Sequence, residues 1–307
     1  MKRTLYAICA LAMSLTAFAQ KLDTPKGKLI DNMYRTSDSW VKRGWTSTEP
    51  GRYEGLVSKI VVGDDNCLYV YNPLSGLDSK SWLKLDKIGE GKYRAALPQV
   101  IYKDNNGGDD DEESGSTERI FKLNRMAIKD NNQYEVVAAN KNYMEFTWDG
   151  KTLKMLGAGS KNEILGMVYN KDTWDSQYGD WAVTIQTFGD KLVTPPASAV
   201  KKQYTLTCKG ETSPRIIEAA IDGNDIYLKG ISKSQKLANI WVKLTKDGNK
   251  AVMPTNQYLG KAVKGDFLKY SNDKAEYHAF AAAYNDAATI AGKLEFSINS
   301  TTGALTN

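Results

Sequence analysis

The chain states the same pattern twice. DDNCLYVYNPLSGLDSKSWLKLDKIGEGKYRAALPQVIY at residues 64–102 returns, worn, as DGNDIYLKGISKSQKLANIWVKLTKDGNKAVMPTNQYLG at 222–260. Leu68-Tyr69-Val70 matches Ile226-Tyr227-Leu228, Trp82-Leu83-Lys84-Leu85 matches Trp241-Val242-Lys243-Leu244, and Ala95-Ala96-Leu97-Pro98 matches Ala251-Val252-Met253-Pro254. Tyr102 then matches Tyr258, Met144-Glu145-Phe146-Thr147 matches Leu294-Glu295-Phe296-Ser297, and Leu153 matches Leu305. The offsets are 158, 159, 156, 150 and 152 at Tyr69, Trp82, Pro98, Phe146 and Leu153. Chance matches would scatter; these keep their order and drift slowly, as turn insertions require. The reading is one ancestral duplication, and a repeat unit constrains a fold because each copy must bury the same faces.

Each copy reads as short strands. In Trp241-Val242-Lys243-Leu244 apolar and polar residues alternate with period two, the mark of a half-buried strand. Asp222-Gly223-Asn224 and Asp247-Gly248-Asn249 are tight-turn chemistry, because Asp, Asn and Gly tolerate positive φ. Further strands are expected near 57–62, 118–123, 134–139, 144–149, 164–169, 181–188, 203–208, 215–221, 276–284 and 293–298. The alanine-rich stretch 278–292 leans toward helix by propensity, but its place in the repeat assigns it to strand and turn. Pro98 and Pro254 fall at matching points of strand-like runs. Proline cannot donate to a ladder, so each should mark an edge or a bulge.

The expected fold is therefore all-β, an antiparallel meander built from two related copies. Turn spacing favours a propeller, whose blades run about 40–50 residues. Tandem β-barrel or sandwich domains are the alternative. The expected organisation is a first repeat unit over 20–193, carrying an inserted acidic loop at 104–116, and a second over 199–307, joined at Thr194-Pro195-Pro196-Ala197-Ser198.

Residues 1–19 read as a signal peptide. Lys2 and Arg3 precede an apolar run from Leu5 to Phe18, and Ala17-Phe18-Ala19 is a small-x-small cleavage site. The run is shorter than the about 20 residues that a membrane-spanning helix needs. The expected product is secreted, extracellular, periplasmic or associated with the cell surface, with no membrane span. Without Lys2 and Arg3 the chain holds 39 basic and 36 acidic residues and no basic stripe, which argues against nucleic acid. Cys67 and Cys208 remain. Two cysteines make no disulfide framework, and the sequence leaves open whether they pair.

The stretch DGNDIYLKGI, then IWVKLTKDGNKAVMPTNQYLG, then LEFSINSTTGALT resembles a family of uncharacterised secreted proteins of Bacteroidetes-type bacteria. Its members share D-G-N-x-V-Y, W-V-K-G, P-x-x-Q-Y-L-G and a closing F-x-Y-D-x-x-T-G-x-L-T. The resemblance covers 195–307 well and 55–155 faintly. Here W-V-K-G reads Trp241-Val242-Lys243-Leu244, and Y-D reads Ile298-Asn299. The resemblance implies a secreted all-β protein and carries no activity.

Chemistry is sparse. The single histidine, His278, sits in a strand-like run and reads as structural. No G-x-S-x-G, P-loop, H-E-x-x-H or dinucleotide fingerprint occurs. No cofactor and no metal site is expected. The acidic run at 104–116 reads as a solvated loop, with a weak Ca²⁺ site as the alternative. Paired carboxylates for glycoside hydrolysis depend on a separation that only the fold sets.

What remains is aromatic. Trp174-Asp175-Ser176-Gln177-Tyr178-Gly179-Asp180-Trp181 groups rings in a polar stretch, and Trp40 and Trp45 do so nearer the start. Flat rings beside polar side chains suit sugar faces and hydroxyls; the plain reading is that they fill β cores. Trp82 and Trp241 recur in repeat strands and belong to the core. The candidate ligand-binding residues are Trp174, Asp175, Tyr178, Asp180 and Trp181. The expected function is a non-catalytic binding protein for glycan or a surface protein. A structural or adhesive component and a polysaccharide-acting enzyme are the alternatives.

Overall fold

A computed structural model describes residues 23–43, 47–104, 119–129, 133–169, 174–207, 212–232, 234, 236–263, 275–284 and 290–306. The expected leader, most of the acidic loop, Trp45 and Cys208 lie outside the described residues. The chain is all-β, as expected. Its one helical turn among the described residues is a short 3-10 piece at Ala139–Lys141, and no helix is long and apolar enough to cross a membrane. Two compact units divide the chain at Phe188 and Gly189.

The first unit holds β1 (Gly27–Arg43), β2 (Ser47–Gly63), β3 (Leu68–Tyr71), β4 (Trp82–Gly89), β5 (Lys92–Ala96), β6 (Gln99–Asp104), β7 (Arg119–Ile128), β8 (Tyr134–Val136), β9 (Tyr143–Trp148), β10 (Thr152–Leu156), β11 (Glu163–Tyr169) and β12 (Trp174–Thr187). β1 to β5 pair in sequence, β5 pairs with β9, and β9 with β10. The second half of β12 pairs with β10 on one side and β1 on the other. That closes an antiparallel barrel of eight strands. The propeller expectation is corrected: the strands run on around one cylinder, because each hairpin's outer strand pairs with the next hairpin instead of ending a separate blade. Two barrel-like units, a closed eight-stranded barrel and a half-barrel sheet, are consistent with the tandem-barrel alternative.

The barrel interior is written in period two. Leu68 and Val70, Leu83 and Leu85, Met144 and Phe146, Leu153 and Met155, and Val183 and Ile185 all point inward and are buried. An eight-stranded barrel is just wide enough for such side chains to fill. A cavity of about 10 Å³ lies beside Arg35, Phe146, Leu153 and Ile185, room for about one water. The first half of β12 leaves the barrel and pairs with β11, which continues through β7 to β6 and β8. The strand changes partners at Asp180, which faces Ser39 of β1 and Leu165 of β11. A bulge follows, with Ala182 at φ +51°.

β1 was not expected as a strand, and neither was the first half of β2. The reason is chemical. The inward positions of β1 are Met33, Arg35, Ser37 and Ser39, all buried, so the alternation is there but most of it is polar.

The second unit holds β13 (Val200–Leu206), β14 (Arg215–Asp222), β15 (Asp225–Lys229), β16 (Trp241–Asp247), β17 (Lys250–Pro254), β18 (Tyr258–Val263), β19 (Glu276–Phe280), β20 (Ala283–Tyr284), β21 (Ile290–Ala291), β22 (Lys293–Ile298) and β23 (Leu305–Thr306). Within 278–292 the described residues give strand at 278–280, 283–284 and 290–291, with 281–282 and 292 outside strands, in keeping with the strand-and-turn assignment. One sheet runs β13-β14-β15-β16-β17-β22-β23. The hairpins β14–β15 and β16–β17 turn at Gly223 (φ +56°) and Gly248 (φ +60°), the left-handed geometry that the two Asp-Gly-Asn turns call for.

The registers of the two units correspond. Tyr69 faces Lys84 as Tyr227 faces Lys243, and Tyr93 faces Phe146 as Ala251 faces Phe296. Gln99 brackets β4 from the side: its Oε1 accepts from the Lys84 amide at 2.9 Å, and its Nε2 donates to the carbonyls of Lys84 and Ala96 at 2.9 Å each. Gln257 does the same to Lys243 (2.7 Å each way) and to the Pro254 carbonyl at 3.2 Å. The bracket aligns Pro254 with Ala96, two residues before Pro98, so the expected match of the two prolines is corrected. Pro254 ends β17 and Pro98 falls in the break between β5 and β6, both places that need no donor.

One interaction joins the closing strands. Asp180 of β12 and Arg35 of β1 form a buried ion pair, Nη2 to Oδ2 at 2.5 Å. Removing one partner of such a pair strands the other charge and costs about 3–5 kcal/mol. Asp180→Ala should therefore lower the first unit's stability by about that amount, while Arg35→Met with Asp180→Leu recovers most of it. Urea unfolding followed by Trp emission checks this, since six of the seven tryptophans lie in that unit.

Candidate functional site

The stretch picked out in the sequence is β12 itself. Its residues divide between two environments because the strand leaves the barrel at Asp180. Trp181 is buried at 7 % exposure and belongs to the core. Asp180 is fully buried. Trp174 and Tyr178 are half-buried against the core, and the side chain of Asp175 lies outside the described residues.

The rings do converge, with partners from distant segments. Trp40 of β1 lies with its centroid 5.3 Å from Trp174 and 6.2 Å from Trp181. Tyr134 of β8 stands edge-on to both Trp40 (6.1 Å) and Trp174 (5.1 Å). The polar ring atoms point inward to protein partners. Trp40 Nε1 donates to Tyr134 Oη at 3.1 Å, Trp174 Nε1 to the Tyr178 carbonyl at 2.8 Å, and Tyr134 Oη to the Lys161 carbonyl. Burial raises the Tyr134 phenol pKa, partly offset by the bond from Trp40. The rings are thus fixed in orientation, and Trp40, Trp174 and Tyr178 keep part of their surface in solvent. Sequence reasoning singled out Trp40 but missed Tyr134, whose local sequence carries no signal.

Asp180 is a hub of internal bonds. Its Oδ1 accepts from Ser39 Oγ at 2.7 Å; its Oδ2 accepts from Arg35 and from the Ser75 amide and hydroxyl, both at 2.9 Å. Ser37 Oγ lies 3.0 Å from Ser39 Oγ and 2.6 Å from Ser75 Oγ. Arg35 also donates to the Asn72 and Pro73 carbonyls at 3.2 and 2.7 Å. The carboxylate that the sequence assigned to ligand hydroxyls is occupied by the protein. Its role in this geometry is to tie β1, β12 and the loop after β3 together.

Among the described residues no three His, Cys, Asp or Glu side chains stand close enough to hold a metal ion. His278 of β19 is buried, with Nδ1 3.3 Å from Tyr258 Oη. Cys67 is a free, buried thiol. Its Sγ lies 3.4 Å from Asp86 Oδ1, and burial followed by that hydrogen bond pushes its pKa up to about 11. A scan against protein-family models found no match, and neither did searches of curated proteins and of solved structures.

A raised thiol pKa means the neutral form persists at physiological pH and the reactive thiolate forms only in alkali. In a Cys208→Ser background of residues 20–307, Cys67 should label slowly with a thiol reagent at pH 8, with the rate climbing as pH approaches about 11. Stopped labelling resolved by mass spectrometry across that range checks the direction.

Proposed function

We propose that the protein is exported and acts as a non-catalytic binding protein, with its ligand held on the outside of a barrel and not within it. The observation that carries this reading is the convergence of Trp40, Tyr134, Trp174 and Trp181 beside a filled interior. Where ring N–H groups are already bonded inward, the exposed remainder is fixed apolar ring surface. Such surface suits the C–H face of a sugar ring and costs little conformational entropy to present. Trp174 and Tyr178 are the binding residues in this reading, joined by Trp40; Trp181 supports them from the core.

The leader pattern supports export, as does the resemblance of residues 195–307 to secreted repeat proteins. The shared registers and the paired Gln99 and Gln257 brackets support descent of the two units from one duplicated ancestor. A structural or adhesive role is the second reading, favoured by the exposed end strand β13 of the second unit.

Trp emission of residues 20–307, titrated with a panel of soluble polysaccharides and host glycans, tests the proposal. A saturable shift that Trp174→Ala removes, with the far-ultraviolet β spectrum retained, is the expected result. Loss of the signal only in Trp241→Ala, or no response across the panel, overturns the glycan reading. Product analysis on any responding glycan separates binding from hydrolysis.

A further inference from the structure

In the first unit β12 occupies the position between β10 and β1. Leu153 of β10 faces Ile185, which also faces Arg35 of β1; Gln186 and Thr184 likewise pair on both sides. The strand runs antiparallel to both neighbours. In the second unit β23 stands where β10 does and β13 where β1 does, judged from registers that match through β14 to β22. Among the described residues, β13 and β23 are the two ends of that sheet.

The side chains show the consequence. Val200, Lys202, Tyr204 and Leu206 are on the face of β13 that continues buried Ile217 and Ala219 of β14. By register Tyr204 holds the place of Met33, and Leu206 that of Arg35. Met33 and Arg35 are 0 % and 3 % exposed; Tyr204 and Leu206 are only half-buried, and Val200 is 61 % exposed. An end strand with apolar residues on its core-side face, open to solvent, is a template for another strand.

We propose that β13 is an acceptor for one extended segment of a partner polypeptide, added antiparallel as β12 is added to β1. The chemistry of that segment follows from register and charge. Opposite Leu206 and Tyr204 it presents the β-branched residues that Ile185 and Thr187 supply in the first unit. Alongside Lys201 and Lys202, both exposed, it carries an acidic residue toward its C-terminal end. Edge lysines discourage indiscriminate strand pairing, and here they make the edge selective for a segment that neutralises them. This proposal does not use the ring cluster of the first unit and stands or falls independently of it.

The chain contains a probe of the stated chemistry. Residues 181–190, WAVTIQTFGD, would place Ile185 against Leu206, Thr187 against Tyr204 and Asp190 against Lys201. A fluorescein-labelled peptide of that sequence, titrated into residues 20–307, should give saturable anisotropy and slow hydrogen exchange at the β13 amides. Lys201→Asp, an exposed position that would face Asp190 of the peptide, should weaken it about tenfold or more while leaving unfolding unchanged. A peptide with Asp190→Lys should bind correspondingly worse. No saturable binding, or binding indifferent to Lys201→Asp, overturns the proposal. Concentration-dependent self-association of the protein that Lys201→Asp abolishes also overturns it, assigning the edge to a second copy.

Discussion

The closure of the first barrel depends on β12, and β12 is held at its turning point by Asp180. The carboxylate binds the guanidinium of Arg35 on β1, the hydroxyl of Ser39 and the amide and hydroxyl of Ser75. Charges taken out of water are expensive, and their attraction repays the cost only when the remaining hydrogen-bonding positions are filled. Here most are filled by groups from two further places, Ser39 on β1 and the loop after β3 that carries Asn72, Pro73 and Ser75. The consequence is specificity of pairing. Because side chains alternate faces, a slip of one residue between β1 and β12 would turn Arg35 or Asp180 to the outside and leave the other charge buried alone. An apolar pair at these positions would tolerate such errors more easily.

The same constraint shows why the two units differ while sharing registers. The first uses its polar inward residues, Arg35, Ser37 and Ser39, where β12 seals them from water. The second has Tyr204 and Leu206 at the positions of Met33 and Arg35, with no strand beyond β13 among the described residues. Half-open positions favour rings and aliphatic groups that still gain from partial burial; a charged or hydroxyl network there would have its bonds contested by solvent. The glutamine bracket is present in both because it serves backbone groups, whose geometry is set by register alone.

Strands with apolar and polar residues in alternation were legible from the sequence, among them Leu68-Tyr69-Val70 and Trp241-Val242-Lys243-Leu244. So were the Asp-Gly-Asn turns, since only a few residues accept positive φ. β1 was not legible, since an inward Arg, Ser and Ser carry no hydrophobic period. The proline alignment misled because the residue that repeats structurally is the glutamine, Gln99 or Gln257, and a single glutamine carries no local signal. The candidate site was half legible. Trp174, Tyr178 and Trp40 could be picked from composition, but Asp180 and Trp181, on the same strand as Trp174 and Tyr178, are buried.

The sequence by itself determined the all-β class and many of the strands and tight turns. These depend on local properties: the period of apolar residues and the φ preferences of turn residues. Only the tertiary structure decided that the strands close into a barrel, that Asp180 is a bolt and that the aromatic rings meet. Closure depends on which strand fills the place between β10 and β1. Two residues about 145 apart in the chain, Arg35 and Asp180, settle that by meeting where water cannot reach them. No local pattern encodes such a meeting, because each partner alone reads as an ordinary surface charge.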